Sequence, residues 1–151
     1  MTYNFIFSEI IDEVMHRLTY ISGKRAVNAD SYFRLAPCEA DMTLFRALAT
    51  EGAAWVAMKL GTRCGGFTLK SDLLSFEILP TVGAEEPGEE SQVVKSLLLL
   101  ALISYIIYRW LRIAGVTEAA SWLEQASEAA SDVLESSRRF SPLKRRPVLP
   151  I

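Results

Sequence analysis

The sequence predicts a mainly α fold: a four-helix bundle around a central apolar helix, with a short β-hairpin and an extended C-terminal arm. Three observations carry that expectation. Apolar residues recur at helical spacing in segments bounded by capping residues and glycines. Leu97–Tyr108 (LLLLALISYIIY) runs twelve residues without a charge. Between Phe67 and Ile78 the period shortens to two, the spacing of a strand.

The first helix is expected from Ser8 to Ile21, with Ser8 as N-cap and Glu9 and Asp12 at the positive end of the helix dipole. Ile10, Ile11, Val14, Met15, Leu18 and Ile21 form its stripe, and Gly23 supplies the stop. His16, the one histidine, falls off that stripe and reads as a solvated side chain. A polar connection and Ser31–Leu35 lead to a second helix that opens at Pro37 and runs through Asp41 to Leu60. Its inward face is expected at Leu44, Ala47, Leu48, Trp55 and Met58, with Gly61 as C-cap and Gly52 at a close helix crossing.

Phe67–Lys70 and Leu74–Ile78 alternate about a turn at Ser71-Asp72, which predicts a hairpin at about 67–79 with Leu74, Phe76 and Ile78 inward. Two strands alone are marginal in water, so the hairpin must pack on helices or pair with another chain. Gly65-Gly66 reads as a turn, since no phosphate-loop pattern follows. The loop from Pro80 to Glu90 carries Glu85, Glu86, Glu89 and Glu90 without the alternating spacing of a calcium loop.

The third helix, roughly Glu90 to Ala114, holds the apolar run and stops at Gly115. The run covers about 18 Å against roughly 30 Å of hydrocarbon, and a full span takes in Lys95 and Arg109, so a buried core helix is expected rather than a membrane span. Thr117 caps a fourth helix whose small stripe is Ala119, Leu123, Ala126, Ala130 and Val133, with Glu124, Glu128, Asp132 and Glu135 on wet faces.

These elements make one domain, 1–139, followed by an arm, 140–151, that contains three prolines and cannot be helical throughout. Arg138, Arg139, Lys144, Arg145 and Arg146 make the C-terminal end basic, while Phe140, Leu143, Val148, Leu149 and Ile151 are too apolar for an ordinary free tail. With Tyr105, Tyr108 and Trp110 on several faces of the third helix, they are the candidate subunit or partner interface. The third helix is expected to hold more apolar surface than one copy of the chain can hide.

Composition excludes more than it selects. A net charge of −2 over 151 residues gives no general pull toward nucleic acid or anionic membranes. Cys38 and Cys64 lack metal-ligand spacing and read as buried thiols of a reducing compartment. The opening residues show no signal-peptide pattern, which predicts a protein that stays in the cytoplasm where it is made. No nucleophile elbow, zinc spacing or dinucleotide fingerprint is found, so no enzyme, no cofactor and no metal are expected.

The order of features resembles the small helical head–tail connector (adaptor) proteins of tailed bacteriophages and prophages, of the type found in Bacteroidales. The resemblance covers most of the chain. It runs from the EIIDEV helix (Glu9–Val14) through Tyr32-Phe33-Arg34-Leu35, the tryptophan-bearing second helix and FEILP (Phe76–Pro80). It continues with ISYIIYRWL (Ile103–Leu111), whose YxxYxW core is its most specific part, then an acidic, alanine-rich helix and Lys144-Arg145-Arg146-Pro147. It implies a structural subunit in the virion neck that forms an oligomeric ring between the portal protein and a tail-side component. DNA would pass through the channel without sequence readout, and the basic arm would dock on the portal or a neighbour. The competing expectation is a cytoplasmic helical module that binds or regulates another protein, with a small membrane-associated protein behind it.

Overall fold

The structure, a computed structural model, describes residues 1–25, 41–79 and 92–139, with side chains at 1–21, 41–79 and 92–136. The expected helix start at Pro37, the Ser31–Leu35 stretch, Cys38, the Glu85–Glu90 loop and the arm 140–151 lie outside the described residues.

Secondary structure is mainly helical, with a small antiparallel sheet. In chain order the elements are β1 (Thr2–Ile6), α1 (Phe7–Arg25), α2 (Met42–Leu60), β2 (Cys64–Lys70), β3 (Leu73–Ile78), α3 (Gln92–Ile113) and α4 (Ala119–Arg139). The sheet order is β1-β3-β2, so the hairpin has a third strand from its own chain. In β1, Tyr3 and Phe5 point inward and Thr2, Asn4 and Ile6 outward, and the register sets Tyr3 opposite Phe76 and Phe5 opposite Leu74. Leu74, Phe76 and Ile78 are buried as expected. Phe76 meets Phe5 edge-on at 6.3 Å and Phe67 at 6.0 Å. Gly65-Gly66 is not a turn: both residues lie in β2 at an irregularity between Cys64 and Gly66, where Gly66 takes φ 144. Cys64 is half-buried and free, not fully buried.

Strand β1 changes how α1 begins. The helix starts at Phe7, directly from the strand, and its cap comes from the β2–β3 turn rather than from Ser8. The Ser8 backbone N–H donates to Asp72 Oδ1 at 3.0 Å and the Ser8 hydroxyl to Asp72 Oδ2 at 2.9 Å, while Phe7 N–H donates to the Asp72 carbonyl at 2.7 Å. The carboxylate satisfies an orphan donor and sits at the positive end of the dipole. Asp72→Ala should therefore cost about 1 kcal/mol, the ordinary value of a lost N-cap, read from urea unfolding midpoints. An unchanged midpoint would show that Asp72 does not cap α1. At its other end α1 runs past Gly23 to Arg25, since one glycine costs a helix only about 1 kcal/mol.

The inward face of α2 also differs from expectation. Phe45, Leu48, Ala49, Gly52, Ala53, Val56 and Leu60 are buried. Leu44, Ala47 and Met58 are exposed and Trp55 is half-buried. The small residues turn inward because α3 approaches there: a Cβ at Gly52 would lie 3.2 Å from Tyr105 Cδ1. Gly61 ends α2 with φ 57.

Helix α3 packs on α1, α2 and most extensively on α4. Residues Ala101–Ile107 are all buried by the chain itself, and the exposed large apolar side chains of α3 are Val93, Leu100 and Ile113. Apolar surface left exposed on this helix is thus limited to Val93 and Ile113 near its ends and Leu100 along its length. Gly115, at φ 77, closes α3 with paired bonds from Val116 N–H to Leu111 O and from Gly115 N–H to Arg112 O, the pattern of a Schellman stop. Thr117 and Glu118 form a turn before α4, which buries Ala119, Ala126, Ala129, Ala130 and Val133, with Leu123 half-buried. A single core joins the sheet to the four described helices.

Candidate functional site

The YxxYxW segment divides between two environments. Trp110 points into the core, where its ring stacks on Phe45 at 5.0 Å with 22° between the planes. Tyr105 is also buried, at 6 % exposure, but its hydroxyl reaches the surface side of the α2–α3 crossing. Tyr108 is half-buried there. Helical spacing places 105, 108, 109 and 112 on one face of α3, and 51, 55, 58 and 59 on one face of α2.

Those two faces meet in a continuous strip. Trp55 stacks on Tyr105 at 5.0 Å, and Tyr105 meets Tyr108 edge-on at 5.9 Å. The Lys59 ammonium lies 5.5 Å from the Trp55 ring centre, and Arg112 donates to the Tyr108 hydroxyl at 2.7 Å. Tyr105 donates to Glu51 Oε1 at 2.7 Å. Arg109 Nε lies 2.9 Å from the same oxygen, close enough for an ion pair but not aligned as a hydrogen bond. Met58, at 66 % exposure, flanks the strip on α2.

Burial pushes the Tyr105 phenol up from its ordinary 10.0 to about 12, and its hydrogen bond to Glu51 adds to the effect. The folded state thus favours the neutral phenol. Its contribution to stability is complete below pH 10 and is lost as pH rises from 10 through 12. Tyr105→Phe should accordingly flatten the fall in stability between those pH values, measured by urea unfolding against pH. Parallel curves for wild type and variant would contradict this.

A second surface feature is an open groove of about 580 Å³ between β1, α1 and the first half of α3. Phe5, Ile10 and Ile103 form its floor, and Ile6, Leu99 and Leu100 its apolar rim. Glu13 and Arg17 pair across one turn of α1 at 2.8 Å on its polar side, with Glu9 and Lys95 nearby. Among the described residues, no group of three or more His, Cys, Asp or Glu side chains is placed to hold a metal ion. Helix α3 is the one described helix long and apolar enough to cross a membrane, and over half of that stretch is buried inside the fold, as in a core helix.

Of the residues expected at an interface, the structure brings Tyr105 and Tyr108 into the strip and sends Trp110 to the core. Arg138 and Arg139 fall on the last turn of α4, where side chains are not described, and Phe140, Leu143, Lys144, Arg145, Arg146, Val148, Leu149 and Ile151 lie outside the described residues. Sequence reasoning missed Glu51 as the partner of Tyr105 and Lys59 as the partner of Trp55, and assigned Trp55 and Met58 to the core. Tertiary contact between two helices joins Glu51 and Trp55 to Tyr105, and no local pattern announces it.

The described residues form a mainly helical fold with a small three-stranded antiparallel sheet. No protein-family model, curated protein or solved structure matches the chain.

Proposed function

We propose that this chain is a structural, non-enzymatic virion protein: a head–tail connector subunit, with its helices gathered around α3, that forms a ring between portal and tail. The strip on α2 and α3 is the observation that carries this reading. Tryptophan, tyrosine, methionine and arginine are the residues enriched at the centres of protein interfaces, and Trp55, Met58, Tyr108, Arg109 and Arg112 are gathered on one surface. The layout of the sequence supplies the particular class, through its likeness to phage connectors. The basic arm is the portal-side contact in this proposal, and neither cofactor nor membrane takes part.

Electron microscopy of particles made from the genome that encodes the chain tests this directly. Density for α2, α3 and α4 repeated around the portal–tail junction is the expected result. Particles whose neck excludes the chain would overturn the proposal. A second reading, a cytoplasmic module that captures a partner segment, is favoured by the groove between α1 and α3, whose apolar floor and charged side suit a bound helix or strand.

A further inference from the structure

The strip carries a charge as well as rings. Lys59, Arg109 and Arg112 contribute three positive charges and Glu51 one negative charge, so the strip is positive by two. The described contacts of Lys59 and Arg112 are to aromatic residues, and both side chains are exposed. On the same chain, the outer face of α4 has the opposite character. Glu124, Glu128, Asp132 and Glu135 follow one another at intervals of four, four and three residues, which places them on one side of the helix over about 16 Å. Glu124, Glu128 and Glu135 are exposed and Asp132 is half-buried, while the alanine face behind them packs into the core.

We propose that these two surfaces bind each other between copies of the chain, the α2–α3 strip of one copy receiving the acidic face of α4 from the next. This rests on the connector reading and deepens it by naming the contact between subunits. Rings and Met58 supply the apolar centre of the contact, and the cations meet carboxylates at its margin. The serines between the acids, Ser127 and Ser131, are small enough to let rings approach the helix. Because the patches are different, the association is head to tail, the arrangement that closes into a ring or runs on as a filament.

The experiment uses the full chain and two charge-reversed variants. One carries Lys59→Glu and Arg112→Glu, the other Glu124→Lys and Glu128→Lys; all four positions are exposed, and thermal melts verify the fold. Sedimentation against concentration should show each variant associating with itself about a hundredfold more weakly than wild type. Added salt should weaken the wild-type assembly. An equimolar mixture of the two variants should associate again, because each reversed patch finds its complement on the other variant. A wild-type oligomer that neither variant alters would reject this contact while leaving the ring standing. Loss with the α4 variant alone would mean that the acids meet another basic segment, such as 138–146, and would also reject it. A wild-type chain that is monomeric at every concentration and absent from virion necks would reject the connector reading itself.

Discussion

Phe45→Ala should destabilise the fold by about 3–5 kcal/mol, the largest loss expected from any single substitution considered. Phe45 is fully enclosed and stacks on Trp110, so truncation removes its transfer energy, its ring contact and the support beneath α3. Since a domain has only about 5–15 kcal/mol of net stability, the variant sits near the unfolding threshold. The melting temperature should fall by on the order of 10 °C. Phe45→Leu keeps most of the volume and should lose well under half as much. Equal losses for the two variants would show that the ring face, not the filled space, sets the cost, and a small loss for alanine would show that α2 is not anchored there.

Gly52→Leu is expected to be the second most disruptive change. A Cβ at this position already meets Tyr105 Cδ1 at 3.2 Å, with Ile106 at 3.8 Å and Leu102 at 3.9 Å behind it. The Tyr105 ring has little freedom to yield, because Trp55 is stacked on it and Glu51 holds its hydroxyl. A branched side chain must therefore push α2 away from α3, at a cost of about 1–3 kcal/mol and with loss of the Trp55–Tyr105 stack from the near-ultraviolet circular dichroism spectrum. Gly52→Ala provides the contrast. Its methyl group needs only a few tenths of an ångström, and alanine gains about 1 kcal/mol in helix propensity, so stability should hardly change. If leucine were accommodated as easily as alanine, the close crossing would not constrain the strip.

What could be read in advance followed from local rules. Gly61 and Gly115 mark helix ends because a positive φ is cheap only for glycine, and both take it. The alternation of Leu74, Phe76 and Ile78 fixes which side of β3 is buried. Strand β1 carries the same signal in Tyr3 and Phe5, but over so few residues that the helix after it dominated the pattern. The face of α2 failed for a different reason. Large side chains at 44, 55 and 58 suggest burial by size alone, whereas the contact with α3 needs small residues at 49, 52 and 53. The strip was half visible: its tyrosines stand out in the sequence, yet Glu51 and Trp55 become neighbours of Tyr105 only when two helices cross. Asp72 as the cap of α1 is the extreme case, with donor and acceptor 64 positions apart in the sequence.

That separation has a consequence for the order in which the chain can acquire its shape on the ribosome. Strand β3 lies between β1 and β2, so the middle of the sheet is the last of its strands to be synthesised. Until Asp72 and Leu73–Ile78 have emerged, α1 lacks its cap and β1 has no hydrogen-bonding neighbour. Closing that long loop is costly and slow compared with forming helices. The first two dozen residues therefore leave the exit tunnel as a segment in waiting, and a pause in translation before the hairpin would prolong the interval in which Tyr3, Phe5 and Phe7 are uncovered.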